Sequence, residues 1–272
     1  MSKVWFVTGS SKGFGRQFVV AALDRGDQVG AAARDTSTLD DLVELYGPSI
    51  LPIQLDVTDR ARVFEAVSEA YEYFGRLDVV INNAGYGLFG AVEELTEEQL
   101  RHQLDTNLFG VLHVTQAVLP ILRAQASGHI IQISTIGGVV AFPTLGGYHA
   151  SKWALEGLTE SLAQEVAGFG ISVTLVEPSG FATDWSGASA IFAAPLPPYD
   201  GIRAAMAERS SPAAQPKPLG FGEAILRVVD AEKPPLRVFF GEMPLQLVPY
   251  VYQQRLATWN EWAEVARLAE AE

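Results

Sequence analysis

In this 272-residue sequence, the pair best suited to moving a proton is Tyr148 and Lys152, four residues apart in "YHASK". On a helix, side chains at that spacing share one face. A tyrosine hydroxyl titrates near ~10, whereas proton exchange at neutral pH asks for a value closer to ~7. The difference is roughly 4 kcal/mol. One ammonium ~4 Å away supplies about that much at an effective dielectric of ~20. The spacing therefore places a cation beside an acid. A second chemistry-bearing stretch, "TGSSKGFG", occupies residues 8–15 directly after the apolar run Val4 to Val7. Between a strand and a helix, such a turn aims backbone N–H groups and a helix N-terminus at one point, where a phosphate binds. Gly9 permits the tight turn, and Gly13 and Gly15 allow close approach. A bare strand–turn–helix also uses glycine simply to turn, so its company must decide.

The elements that carry these residues follow a regular alternation. Short apolar runs fall at Val4 to Val7 and at 27–33, 50–55, 77–82, 129–134, 171–177 and 236–240, bounded by Gly, Pro, Asp or Asn. Helical patterns lie between them at 15–25, 39–46, 61–73, 97–124, 150–167 and 221–230, with Thr96 and Gln99 spaced for a capping box. Strict alternation predicts an α/β fold: a doubly wound parallel sheet of about seven strands, helices on both faces, in a single domain over 1–240. The stretch 183–218 holds six of the fifteen prolines and is expected to be a substrate lid. Residues 241–272 are expected to form a helical extension whose Tyr252, Leu256, Trp259, Trp262 and Val265 pack as a stripe.

Composition narrows the partners. A net charge of −13 argues against a nucleic-acid backbone as ligand. Cysteine is absent, which excludes disulfides and thiolate chemistry. His102, His113, His129 and His149 show no metal-ligand spacing, so no metal is expected. The chain starts straight into "KVWFVTG", and no apolar run approaches the ~20 residues of a membrane span. These features predict a cytoplasmic protein.

Further motifs accompany the first two: "NNAG" at 82–85, Asn107, Ser134 in "ISTIGG", and "EPSGFAT" at 177–183. Together with T-G-x-x-x-G-x-G and Y-x-x-x-K they resemble the short-chain dehydrogenase/reductase family, in order and at the family's usual intervals, from Val4 to about Thr183. The context "NNAGYGLFGAVEEL" is similar to the hydroxysteroid-dehydrogenase-like branch. The resemblance implies a nicotinamide dinucleotide on the glycine turn and hydride transfer between it and a carbonyl or secondary alcohol. It implies Tyr148 as general acid in reduction and base in reverse, and Lys152 as the group that lowers its pKa and bonds the nicotinamide ribose. Ser134 is expected to bond the substrate oxygen, and Asn107 to hold a water that relays protons from Lys152 to solvent. For the cofactor it implies Gly9, Ser11, Lys12, Gly13, Phe14, Gly15, Asp56 with Val57 at the adenine, and Asn83, Ala84 and Gly85 on the ribose side. It adds Pro178, Gly180, Phe181 and Thr183 near the carboxamide. Ser179 after Pro178 departs from the family's Pro-Gly, which loosens the expectation for that loop.

By the same resemblance, the acidic position that reads a ribose 2′-OH is Ala33, followed by Arg34, and Lys12 is the other cation near a 2′-phosphate. Two cations and a missing acid favour NADP(H), while Asp35 leaves NAD(H) open as the alternative. Ile136, Val139, Phe142, Leu145 and Trp185 suggest an apolar pocket for a hydrophobic ketone or aldehyde. Alternatives are a 3-oxoacyl thioester reductase, an NAD-dependent alcohol dehydrogenase and a non-catalytic NADP-binding sensor. The resemblance also implies a homodimer or homotetramer paired across the 97–124 helix and the helix carrying Tyr148.

Overall fold

In the first strand, β1 (Val4–Thr8), Trp5 and Val7 join one apolar cluster while Val4 and Phe6 join another, and all four are buried. That two-residue alternation, apolar on both sides, marks a strand covered on both faces. The computed structural model describes residues 2–181, 185, 187, 189–209 and 216–270. It places β1 in a seven-stranded parallel sheet with β2 (Gln28–Ala33), β3 (Ile50–Gln54), β4 (Val79–Asn82), β6 (Gly128–Ile133), β7 (Ile171–Pro178) and β9 (Arg237–Phe240). The order is β3-β2-β1-β4-β6-β7-β9. Two short strands, β5 (Leu88–Phe89) and β8 (Ile191–Phe192), pair separately.

One face of the sheet is covered by α1 (Gly13–Asp24) and α8 (Phe221–Val229), through Phe18, Val19, Phe221 and Ile225. The other is covered by α3 (Arg60–Phe74), α5 (Gly110–Gln125) and α6 (Gly146–Val166), through Val63, Val67, Val114, Val118 and Leu162. The remaining helices are α2 (Asp40–Tyr46), α4 (Glu97–Leu104), α7 (Asp200–Arg209), α9 (Met243–Glu261) and α10 (Ala263–Leu268). The chain winds outward from β1 in both directions, so β1 and β4 flank the switch point where a doubly wound sheet opens into a crevice.

One expectation holds and three are refined. The capping box at Thr96 and Gln99 forms, with reciprocal bonds of 3.2 and 3.0 Å. The single helix over 97–124 does not: a π-helical turn at Asp105–Phe109 divides α4 from α5, and such turns gather at functional sites. The stretch expected to be a lid contains regular structure among its described residues. β8 pairs with β5, and the Leu196 N–H and the Arg203 guanidinium both reach the buried Glu94 carboxylate. The extension is helical, but the expected packing stripe is on the surface, with Trp259 and Trp262 63% and 61% exposed. What α9 packs inward is a different set, Leu247, Val248 and Val251, against Ile136, Val139 and Val140. Among the described residues, no helix is long and apolar enough to cross a membrane, and no cluster of metal-ligating side chains occurs.

Candidate active site

The glycine turn leaves β1 at the switch point. Gly9 and Gly13 adopt left-handed backbone, with φ of 68° and 58°, which favours glycine. A Cβ on Gly9 or Gly15 would collide with the Asn83 amide at 2.9 and 2.4 Å, so these two glycines let the turn lie against the end of β4. Asn83 fastens that contact, donating to the Thr8 and Gly9 carbonyls at 3.0 Å each. The N–H groups of Asn83 and Ala84 both reach Thr8 Oγ1, at 3.0 and 3.1 Å. At Gly13 a Cβ would meet nothing within 4 Å, because the residue faces an open cleft of about 410 Å³. A glycine lip over open space at the N-terminus of α1 fits a pyrophosphate.

Gly9, Ser11, Lys12, Gly13, Phe14, Arg34, Asp56, Val57, Asn83, Ala84 and Gly85 all line this cleft, together with Ala33. Gly15 lies beneath the turn. At the end of the cleft beside β2, Ala33 is buried and Arg34 exposed. Asp35 is already engaged: its carboxylate caps the next turn, accepting from Ser37 N–H and Oγ at 3.0 and 2.7 Å. Those bonds hold its pKa below the usual carboxylate range. Asp56 likewise closes an Asx turn on Thr58, at 2.9 and 2.7 Å. Burial pushes its carboxyl up, but the Thr58 bonds and the charges of Arg34 and His102 outweigh burial and keep it ionised.

Tyr148 and Lys152 lie in the first two turns of α6, both buried, and both reach the cleft. The Lys152 ammonium donates to the Ile133 carbonyl at 2.8 Å and lies 6.0 Å from the centre of the Tyr148 ring. The expected depression of the phenol is absent in the protein alone. Burial raises Tyr148, opposed by the Thr135 hydroxyl, and burial lowers Lys152 to about 8. The phenol is therefore held protonated, poised to donate. The hydroxyl facing it belongs to Thr135, which also accepts from Gly137 N–H at 3.2 Å and donates to the Pro178 carbonyl at 3.4 Å. Ser134, expected in that role, lines the cleft, but its Oγ lies toward Gly138 and Glu156. A strand end sends consecutive side chains to opposite sides, so only one of the two hydroxyls can face the acid.

Asn107 is fully buried inside the π turn. Its Nδ2 donates to the Tyr86 carbonyl and to Ser151 Oγ at 3.1 and 3.2 Å, and its Oδ1 accepts from Tyr86 N–H at 3.2 Å. The side chain is a strut between α6 and the loop after β4, with one Oδ1 lone pair still available to the expected water. His149 accepts from Phe142 N–H at 2.9 Å through Nε2 and reaches the Gly137 carbonyl at 2.8 Å through Nδ1. It clamps the loop between Thr135 and Tyr148.

Beside Tyr148 the cleft is bounded by Trp185, whose ring lies 4.9 Å from Tyr148 and 5.0 Å from Phe89, with Ile191 also lining it. Of the expected apolar lining, Ile136 and Val139 instead pack against α9. Phe181, expected at the cofactor, sits in an aromatic cluster with Phe14 and Phe221 at 6.1 and 4.7 Å. Pro178 ends β7 beneath Thr135, and Gly180 is exposed beyond it. Thr183 lies outside the described residues. Tyr86, His102 and Thr106 line the cleft without having been singled out for it, and Tyr86 Oη bonds His102 Nδ1 at 2.7 Å.

A glycine lip at the switch point of a doubly wound parallel sheet, opposite a buried tyrosine–lysine pair, defines a dinucleotide-binding oxidoreductase fold. The chain belongs to the short-chain dehydrogenase family, whose family model, described as "short chain dehydrogenase", matches residues 3–190. It is 42% identical over 270 residues to Oxidoreductase BOA17 of Botryotinia fuckeliana, with 98% of each chain covered. The crystal structure of a short-chain dehydrogenase from Streptomyces avermitilis is similar with a TM-score of 0.93 at 39% identity, covering 98% of both chains. A short chain dehydrogenase from Burkholderia cenocepacia in complex with NADP is similar with a TM-score of 0.76 at 26% identity, covering 96% of this chain and 97% of that one.

Proposed function

We propose that the protein is an NADPH-dependent carbonyl reductase acting on a hydrophobic ketone or aldehyde. The observation that carries this reading is the Tyr148 phenol, kept protonated by burial and faced by the Thr135 hydroxyl beside a nucleotide-sized cleft. The dihydronicotinamide of the cofactor supplies the hydride when bound. Lys12 and Arg34, which line the cleft, are the cations for a 2′-phosphate. Asp35, committed to capping the turn at Ser37, is poorly placed to serve a ribose 2′-OH instead.

Tyr148 and Thr135 hold the substrate carbonyl oxygen between two hydroxyls. As the carbonyl carbon is reduced, Tyr148 gives its proton to the oxygen, and the charge of Lys152 stabilises the phenolate left behind. In the reverse direction the phenolate takes the proton back. Trp185, Phe89 and Ile191 exclude water and favour a flat, apolar substrate such as a steroid-like ketone. Exposed Phe109, Trp153 and Leu158 on the outer side of the α4–α5 and α6 helices suit pairing with further copies of the chain. Turnover of a panel of aromatic, alicyclic and long-chain ketones with NADPH and with NADH tests the proposal. No turnover of any ketone, or a preference for NADH, would refute it.

A further inference from the structure

Behind the cleft, three charged side chains meet in the interior. Glu156 follows Lys152 by one turn of α6, Glu177 lies on β7, and Arg237 lies on the adjoining strand β9. The Glu177 side chain is 0% exposed and that of Glu156 is 7% exposed, against 34% for Arg237. Arg237 Nε donates to Glu156 Oε2 at 3.1 Å and lies 3.5 Å from Glu177 Oε1. Its Nη2 donates to Glu160 Oε2 at 2.8 Å, toward the surface. Both oxygens of Glu177, Oε1 of Glu156 and Oγ of Ser134 are buried without a hydrogen-bond partner. Two buried carboxyls around one guanidinium are costly, and apolar residues of similar size commonly pack there at no loss. A cluster this expensive calls for a role in the site beside it.

Tyr148, Lys152 and Glu156 stand on successive turns of one helix face. We propose that Arg237 and Glu156 form a positioning device for the lysine, in which Arg237 pins the Glu156 carboxylate one turn behind Lys152 and the carboxylate keeps the buried ammonium charged. This rests on the reading of Tyr148 and Lys152 as the acid and its cation. The groups at Lys152 are the Ile133 carbonyl, Tyr148 and Glu156, and around Glu156 stand Ser134 after β6, Arg237 on β9 and, against Arg237, Glu177 on β7. Among them Glu156 is the charge that opposes the effect of burial on the ammonium. Glu177 makes this arrangement tenable. Burial, reinforced by the charge of Glu156, pushes its carboxyl up to about 8, so Glu177 keeps the proton and Glu156 the charge. Burial also raises Glu156 on balance, against the charges of Arg237 and Lys152, which favour its ionised form.

The chain contains five lysines, so full-length protein labelled with 13Cε-lysine gives few resonances. That of Lys152 is identified by its loss in Lys152→Met. The wild-type midpoint is expected near 8. In Glu156→Gln it should fall by about one pH unit or more, while Glu177→Gln, which removes a charge only as pH rises through about 8, should lower it by less. A Lys152 midpoint that does not move in Glu156→Gln overturns the proposal. If circular dichroism shows that this variant does not fold, the wild type decides through 13Cδ-glutamate. One buried carboxyl still protonated at pH 7 supports the device, and every carboxyl ionised at pH 6 overturns it. Neither readout involves turnover, so loss of the reductase reading, tested by ketone reduction in wild type and Tyr148→Phe, is distinguishable from failure of this one.

Discussion

The hydroxyl of Thr135 faces the phenol of Tyr148, while the adjacent hydroxyl of Ser134 is turned away toward Glu156. The consequence for mutagenesis is an asymmetry. Thr135→Val should lower kcat for ketone reduction by about 10²–10³, the usual cost of a lost oxyanion donor. Tyr148→Phe should cost about 10²–10⁴ while NADPH binding stays nearly intact. Ser134→Ala should cost far less than either. Equal losses in the Thr135 and Ser134 variants would assign the substrate oxygen wrongly.

For the cofactor, Lys12→Ala combined with Arg34→Ala should weaken NADPH at least about 100-fold, because both charge-assisted contacts to the 2′-phosphate are lost. NADH, which lacks that phosphate, should bind as before. Fluorescence titration of both nucleotides provides the check, and equal weakening would show general damage rather than cofactor reading.

Glu177 links stability to pH. Its carboxyl releases its proton near 8 in the folded chain and near 4.5 when unfolded, so between those values the folded state binds more protons. Stability from this group is fully present below about 4.5 and fades as pH rises through 8. Glu177→Gln stays neutral throughout. Relative to wild type, the variant should gain stability between pH 5 and pH 9, by an amount on the order of a few kcal/mol. Thermal melts across that range measure it, and parallel curves would contradict it.

The lid should respond to Glu94, which accepts from the Ala91 and Leu196 N–H groups at 2.7 Å each and also holds Arg203. Glu94→Ala is expected to raise KM for the ketone several-fold with a smaller change in kcat, and to speed proteolysis between residues 190 and 209. An unchanged KM together with unchanged proteolysis would separate the lid from substrate binding.

The strand–helix alternation was legible because each strand is apolar on both sides and each helix is amphipathic, and both patterns are local. The glycine turn, "NNAG" and Y-x-x-x-K were legible because their spacings carry geometry. The roles of Ser134 and Thr135 were not, since "IST" places two hydroxyls side by side and only the direction of the strand end tells them apart. The π turn at Asp105–Phe109 was hidden because its residues keep a helical pattern. Glu156, Glu177 and Arg237 were invisible as a group because they lie on three separate elements, with Arg237 on a strand far along the chain, and meet only in the folded structure. The tail misled for a related reason. Its Tyr252, Leu256 and Trp259 repeat at helical intervals, but a repeat does not say whether anything in the same chain covers it.

The pair Gly137 and Gly138 restricts the routes by which this enzyme can change. A methyl group on Gly137 would run into the His149 ring at 2.7 Å, and one on Gly138 into Ser134 Oγ and Glu156 Oε1 at 2.6 and 2.8 Å. Neither glycine can be exchanged without evicting an imidazole or a carboxylate from the opposite helix. A saturation library across 135–150 should therefore return both positions nearly blank while exposed Ala150 nearby varies. New substrate preferences would then have to be reached by sequence change in the lid, because the floor of the site is closed to small steps.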